Sequence, residues 1–360
     1  MSPKSIYLFI LVVLSSVFFP ACSTDFEIAA PWQEISIVYG LLDASQETQY
    51  IKVNKAFLSE TTNALDIAAV SDSIYHTDAE LLTVVLEEYD ASQNLLKTIT
   101  LERVDAATES IDKEVGIFSD SPYYLYKTDV ALNPERTYHL EINTPSGEMV
   151  TSESPVIGNF SVSRPRESGS INDRILRLSF ETYKMRWKRI DNISIYDVDM
   201  LAQIRERKLV NGQEVVEDRT LTWNMLSNYG AAQNTQNNNN VEYEFDTELF
   251  YNFLATQLDV NEDILDREML YLDFEFHAAS EPFKLFNDVA LAQVGITSSQ
   301  VQPSYTNIDN GLGLFATRYT KRVNEVPLSA ETINTIACGE ITGHLKFKSD
   351  PSNEAYPGCQ

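Results

Sequence analysis

Three cysteines carry the most explicit chemistry in the sequence. Cys22 closes the stretch SVFFPAC, behind Lys4 and an apolar run from Ile6 to Phe19. That run is shorter than the ~20 apolar residues a bilayer crossing takes, and it has the length of the apolar part of an export signal. A cysteine directly after a small residue, here Ala21, is the arrangement in which a bacterial signal is cut and the thiol acylated. On that reading residues 1–21 are a lipoprotein signal peptide, Cys22 is the lipidated first residue of the mature chain, and residues 22–32 are a tether with Asp25 and Glu27. Acyl chains contribute about 0.8 kcal/mol per buried methylene, so several on one cysteine hold a protein at a membrane without a spanning helix. The alternative is an ordinary cleaved signal with a bystander cysteine. Cys338 and Cys359 have 20 residues between them. In an oxidising compartment a bridge between them would pin the C-terminal tail, worth about 3 kcal/mol for a loop of that size. Two free thiols, or a metal pair with His344 nearby, are the competing readings, and the disulfide is favoured.

The other reactive residue types are scattered. His76, His139, His277 and His344 do not pair at metal spacing, and no H-E-x-x-H, G-x-S-x-G or G-x-x-x-x-G-K motif occurs. Asp259, Asn261 and Asp263 alternate like the start of a calcium loop. Ile264 stands where such a loop needs glycine and Leu270 where it needs an acid, so a solvated acidic turn is the better reading. Glu87 and Glu88 are adjacent on a strand and point to opposite faces. Tyr123, Tyr124 and Tyr126 offer wide apolar faces with polar tips, suited to sugar or peptide contact. Against that stands the plainer reading, alternate tyrosines divided between the core and the surface of a strand. No catalytic residue, metal site or cofactor is assigned.

Charge narrows the partners. The chain has 27 Lys and Arg against 53 Asp and Glu, a formal charge of −26; losing Lys4 with the signal makes the mature chain 26 − 53 = −27. Such a surface repels phosphate backbones, and no cluster of lysine or arginine offsets it, so nucleic acid is not an expected partner.

The elements that must position these residues are mostly strands. LLTVVLEEYD and NLLKTITLERV flank a turn at Asp90–Asn94, and RTYHLEIN and EMVTSESPVI flank TPSG. Short strands at this spacing predict an antiparallel sandwich over residues 33–157. LNPERTYHLEI looks like immunoglobulin- or fibronectin-like modules, in which a tyrosine locks a corner; Tyr138 is then a packing residue. A boundary falls near Pro155–Gly158. Beyond it, Asn211-Gly212 between two strand-like runs is the strongest hairpin signal in the chain, and AAQNTQNNNN reads as a mobile loop. Helices are expected near 247–258, with Leu249, Phe250, Phe253 and Leu254 on one face and Asp246 as cap, near 281–293, with Ser280 as cap, and near 329–338, closed by Gly339. The fold class is therefore mainly β: an N-terminal β-sandwich, then a β-rich α+β domain over 158–360 with a few short helices.

Two pairs of segments, SIVYGLLD…TQYIKVNKAFLSE and SEPFKLFNDVALAQ…PSYTNIDNGLGLFATR, stand in this order behind the cysteine motif. Together they resemble a large family of Bacteroidota lipoproteins of unknown function. That family has an early strand pair, a much later aromatic-bearing helix, and then an Asn-Gly-Leu-Gly-Phe turn and strand. Here the last motif runs from Asn307 to Phe315, with Asn310 in place of the usual second glycine. The resemblance implies a lipid anchor in the outer membrane, facing the cell surface or the periplasm. It also implies a partnership with a TonB-dependent outer-membrane receptor in nutrient capture, and it brings no catalytic residues. An envelope hydrolase whose acids converge only in the fold, and an adhesion or envelope-structural protein, are the alternatives.

Overall fold

The computed structural model describes residues 35–56, 66, 68–113, 116, 118–119, 122–178, 181–230, 239–293 and 304–350. The expected signal, tether and lipidation site, Cys359 and residues 231–238 of the asparagine-rich loop lie outside them. The fold is mainly β with few short helices, as the strand patterns predict.

Eight strands build the first half: β1 (Ser36–Asp43), β2 (Gln49–Lys55), β3 (Thr83–Tyr89), β4 (Leu95–Thr100), β5 (Glu102–Asp105), β6 (Tyr124–Thr128), β7 (Thr137–Asn143) and β8 (Met149–Pro155), with one helical turn, α1 (Ser71–Ile74). One sheet face runs β1-β2-β6-β5 and the other β4-β3-β7-β8, the partition of an immunoglobulin-like sandwich. Alternation along each strand puts Val38, Ile51 and Val53 from one sheet against Leu86, Leu140 and Ile142 from the other. Tyr138, fully buried at the start of β7, accepts the backbone N–H of Asn133 on its hydroxyl at 3.0 Å. This is the corner lock expected from LNPERTYHLEI.

The second half adds β9 (Val162–Arg164), α2 (Ile171–Arg174), β10 (Thr182–Lys188), β11 (Ile195–Val210), β12 (Gln213–Gly230), β13 (Asn240–Asp246), α3 (Glu248–Gln257), β14 (Ile264–Ala279), α4 (Glu281–Gln293), β15 (Gly311–Val326) and α5 (Ala330–Cys338). Asn211 and Gly212 join β11 to β12 with φ of 53° and 78°, both positive as a two-residue type I′ hairpin requires. A three-stranded sheet, β13-β10-β9, covers the inner face of the long strands. Trp187, Tyr196, Phe250, Phe274 and Phe276 form the core between them.

The helices fall where expected, with two local corrections. In α3 the buried face is Phe250, Tyr251 and Leu254, while Leu249 is half exposed, because the i, i+4 pair and its neighbour at 251 set the stripe. Ser280 does not cap α4 with its side chain. Its hydroxyl accepts the Thr317 backbone N–H at 3.2 Å and so braces β15. Asp246 does hold the Glu248 N–H, at 2.9 Å, and the Ser329 hydroxyl caps α5.

The two halves share one sheet. β1 and β15 pair in parallel, from Ser36 beside Gly311 to Asp43 beside Arg318, so eight strands run β12-β11-β14-β15-β1-β2-β6-β5. The cores divide near Ile157, but Ile308 and Phe315 from the last strand region belong to the first core. The close approach needs glycine. Gly313 has φ +115°, and a Cβ there would lie 1.9 Å from the Val38 carbonyl oxygen. Asn310 enters the turn at φ 56°, a conformation asparagine tolerates. Gly313→Ala is expected to cost roughly 3 kcal/mol or more, or to prevent folding. The neighbouring exposed Leu312→Ala should stay within about 0.5 kcal/mol of the parent. Urea melts of the two variants check this, and equal midpoints would contradict the seam. Tyr138→Phe, which removes only the corner hydroxyl, is expected to lose about 1 kcal/mol in the same assay.

Candidate anion-binding groove

β10 alternates buried and outward residues. Met185 and Trp187 are fully buried, and Lys184 and Arg186 face the other way. On the β13 side the outward cations meet acids in register: Lys184 opposite Glu244 and Arg186 opposite Glu242, with Arg186 2.5 Å from the Glu242 carboxylate. On the β9 side the register slips. Trp187 pairs with Val162, yet Arg186 pairs with Arg164, which leaves Ser163 as the extra residue of a bulge. The Ser163 hydroxyl closes the bulge on the Arg186 carbonyl at 3.1 Å. Bulges re-aim side chains, and here the result sets two arginines directly opposite each other, an arrangement that costs stability.

The chain after β9 walls this surface. Ser170 and Asp173 cap α2 reciprocally, and the Ser170 hydroxyl holds the Asp173 carboxyl below the usual carboxylate range. Arg174 donates to the carbonyls of Arg166 and of Asn324 on β15. Leu176 bridges to Leu328, and Leu176 and Leu178 are buried, so Arg177 between them turns outward. The groove has a volume of about 1100 Å³, and its cations are Arg164, Arg166, Arg174, Arg177, Lys184 and Arg186. Its acids are engaged: Glu167 with Lys321 at 2.6 Å, Asp173 with Ser170, and Glu244 with the Thr182 hydroxyl at 2.7 Å. Arg164, Arg166 and Arg177 are exposed and form no ion pair among the described residues. Burial pushes the Tyr183 hydroxyl up to about 12 while Arg164 pulls it down, so this lining residue stays a neutral O–H.

This corrects the expectation that no cluster of cations offsets the acidic surface. The signal was present: residues 164–189 hold eight Lys and Arg against three Asp and Glu. The total charge hid it, and the bulge that gathers it has no sequence mark.

No family model matches the chain, and no curated protein matches it. Among the solved structures similar to it, two illustrate how low the overlap is. A trypsin-activated alpha-2-macroglobulin from Escherichia coli shares 9% identity at a TM-score of 0.18, covering 71% of this chain and 15% of its own. The calcium-binding domain CBD12 of CALX1.1 shares 8% identity at a TM-score of 0.15, covering 78% of this chain and 98% of its own. The chain thus spans about 15% of the length of that macroglobulin. Superpositions this weak carry no argument about fold or function.

The residues singled out in the sequence lie elsewhere. Tyr126 is buried in the first core. Tyr123 and Tyr124 pack on Tyr75 at 6.1 and 5.9 Å between ring centroids, with Lys52 over the Tyr123 ring and Arg103 over that of Tyr124. Their faces hold the segment around α1 against the sheet. Glu87 accepts the Tyr89 hydroxyl, and Glu88 lies 3.6 Å from Arg136. His139 is 3.0 Å from Glu153, and His344 is exposed in a turn. The Asn261 side-chain oxygen, one of those a calcium loop would use, accepts the Ile264 N–H at 3.1 Å, and the Asp259 and Asn261 carbonyls accept from Arg267 and Lys346. No group of three or more potential metal ligands gathers among the described residues. His277 lies 3.2 Å from the Thr320 hydroxyl and 3.4 Å from Asp199. All three sit on the polar face of β11, β14 and β15, where Arg322 also holds Glu275 at 2.9 Å, and none lines the groove. That pattern is a charge ladder across a sheet face. Cys338 packs against the second core, and the bridge expected to Cys359 falls outside the described residues.

His76 is buried, and that burial, with Lys55 second, lowers its pKa to about 4. In the unfolded chain it titrates near ~6.5. Between those values only the unfolded state takes up the proton, so stability is present at neutral pH and is lost as the pH falls through this window. His76→Gln is expected to flatten that part of the stability–pH curve, read by thermal melts at several pH values across the window. A slope equal to the parent's would refute a neutral buried His76.

Proposed function

We propose that this chain is a non-catalytic, lipid-anchored protein of the outer membrane, accessory to a TonB-dependent receptor in nutrient binding or uptake, with the arginine groove as its ligand site. The observation that carries this reading is where the groove lies relative to the start of β1 at Ser36. Only 13 residues separate Cys22 from Ser36 at the start of β1, a reach of at most about 45 Å. β1 and β15 start side by side at Ser36 and Gly311, and Arg174 meets β15 at Asn324, about 40 Å farther along the strand. The groove is thus toward the opposite end of the long sheet from Ser36, and in the proposed arrangement it would be turned toward a partner. No helix of the described residues is long and apolar enough to cross a membrane, and an acyl anchor needs none. The resemblance to Bacteroidota lipoproteins supports the same reading. Pairing of Cys338 with Cys359 belongs to it, as a clamp on the tail of an exported chain.

The first test labels intact cells with a membrane-impermeant reagent and purifies the protein in mild detergent. Labelling and a co-purifying outer-membrane receptor are expected; neither appearing sinks the proposal. Non-reducing peptide mapping of the same material should find an acylated Cys22 and a Cys338–Cys359 peptide. Cys22→Ser should release the protein from the membrane fraction.

A further inference from the structure

We infer that the groove of Arg164, Arg166 and Arg177 binds a short ligand carrying two or more oxyanion groups, carboxylate or phosphate, through charge-assisted hydrogen bonds. The inference rests on the reading of the groove as a ligand site and names the chemistry it selects.

Three observations carry it. Acids outnumber cations 53 to 27 in this chain, so an exposed arginine has acidic side chains to pair with almost anywhere. Arg205, Arg207 and Lys208 on β11 each have an acidic partner. Arg164, Arg166 and Arg177 have none among the described residues, although they line one cavity. Second, the β9 bulge brings Arg164 opposite Arg186, whose own acid, Glu242, lies on the β13 side, so Arg164 is left facing a cation with no ion pair of its own. Third, the acids at the groove have other partners: Glu167 an ion pair with Lys321, Glu244 the Thr182 hydroxyl with Lys184 nearby, and Asp173 the Ser170 hydroxyl. Only Asp173 also feels one of the three arginines, Arg166, so six cations face a lining with little free acid.

The rest of the surface bounds the size of the ligand. A long polyanion would run off the groove onto a surface of net negative charge and be repelled there. A ligand that fits within about 1100 Å³ is not. Guanidinium forks match planar carboxylates and tetrahedral phosphates alike. The open, arginine-lined groove therefore selects for oxyanions and for more than one of them, and the Tyr183 hydroxyl is a further neutral polar group on its lining.

The test is titration calorimetry on the detergent-solubilised full mature chain with three probes. They are a short oligogalacturonate, inorganic tripolyphosphate and a neutral oligosaccharide of matching length. At least one anionic probe should bind and the neutral one should not, and binding should weaken steeply as salt is raised. The double variant Arg166→Ala/Arg177→Ala should bind at least about tenfold more weakly, with an unchanged thermal midpoint because both residues are exposed and unpaired. Arg205→Ala, on the β11–β12 ribbon, should leave binding unchanged. Binding of the carboxylate probe alone assigns acidic sugars or carboxylic acids, the phosphate probe alone assigns phosphate compounds, and both together show selection by charge; each supports the inference. Binding of neither anionic probe, or binding indifferent to the arginine substitutions, overturns it. Surface labelling and receptor capture do not depend on this result, so a failure here is separable from a failure of the anchored accessory reading.

Discussion

The parallel contact of β1 with β15 is the constraint on which the rest of the structure depends. It requires two backbones to approach until no side chain fits, which is why Gly313 sits against the Val38 carbonyl. It is closed at its far end by Arg318, whose guanidinium lies 3.0 Å from the buried Asp43 carboxylate. Because Phe315 fills the first core from this strand, the contact also completes the sandwich it joins. An immunoglobulin-like sandwich has an open edge at its first strand, and open edges recruit other chains. Here the edge is paired within the molecule, and the second half of the chain is built outward from it through β14, β11 and β12.

Charge is handled in two opposite ways. Arg267 and Glu206 are almost fully buried and bonded at 2.9 Å, and Arg267 also donates to the Leu345 and Asp259 carbonyls. Every arm of that guanidinium has a partner, and it ties the segment after α5 to the long sheet. Removing one member of such a pair strands the other, at a cost of about 3–5 kcal/mol. Arg164, Arg166 and Arg177 are the reverse case: exposed, gathered and without an ion pair among the described residues. Burial with full satisfaction marks a structural cation; the gathered arginines without an ion pair are what the proposed ligand site rests on.

Much of the fold was legible because its signals are local. Asn211-Gly212 and the Asp90–Asn94 turn declare hairpins through backbone conformations few residues tolerate. Tyr138 declares its corner through a neighbour five residues away. The helices announce themselves by their spacing. What was not legible is non-local. Nothing within β1 names β15 as its partner, and the Ser280 hydroxyl caps nothing because a strand 37 residues away takes it. The groove lay between these cases. Its arginines are dense in one stretch of sequence, but a one-residue bulge and a guanidinium bond to Asn324 decide that they share a surface. Of the segments that carry the resemblance, SIVYGLLD and GLGLFATR are the two sides of the β1–β15 seam.

The same seam sets a timetable for the chain. Asp43 and Arg318 are 275 residues apart, and a chain is synthesised N-terminus first. Of the described strands β1 is made first and β15 last, so the β1 edge of the sandwich has no partner, and its core lacks Phe315, until β15 is made. Contacts of such long sequence separation form slowly. The sandwich and the long sheet are therefore completed together, by one contact of long sequence separation.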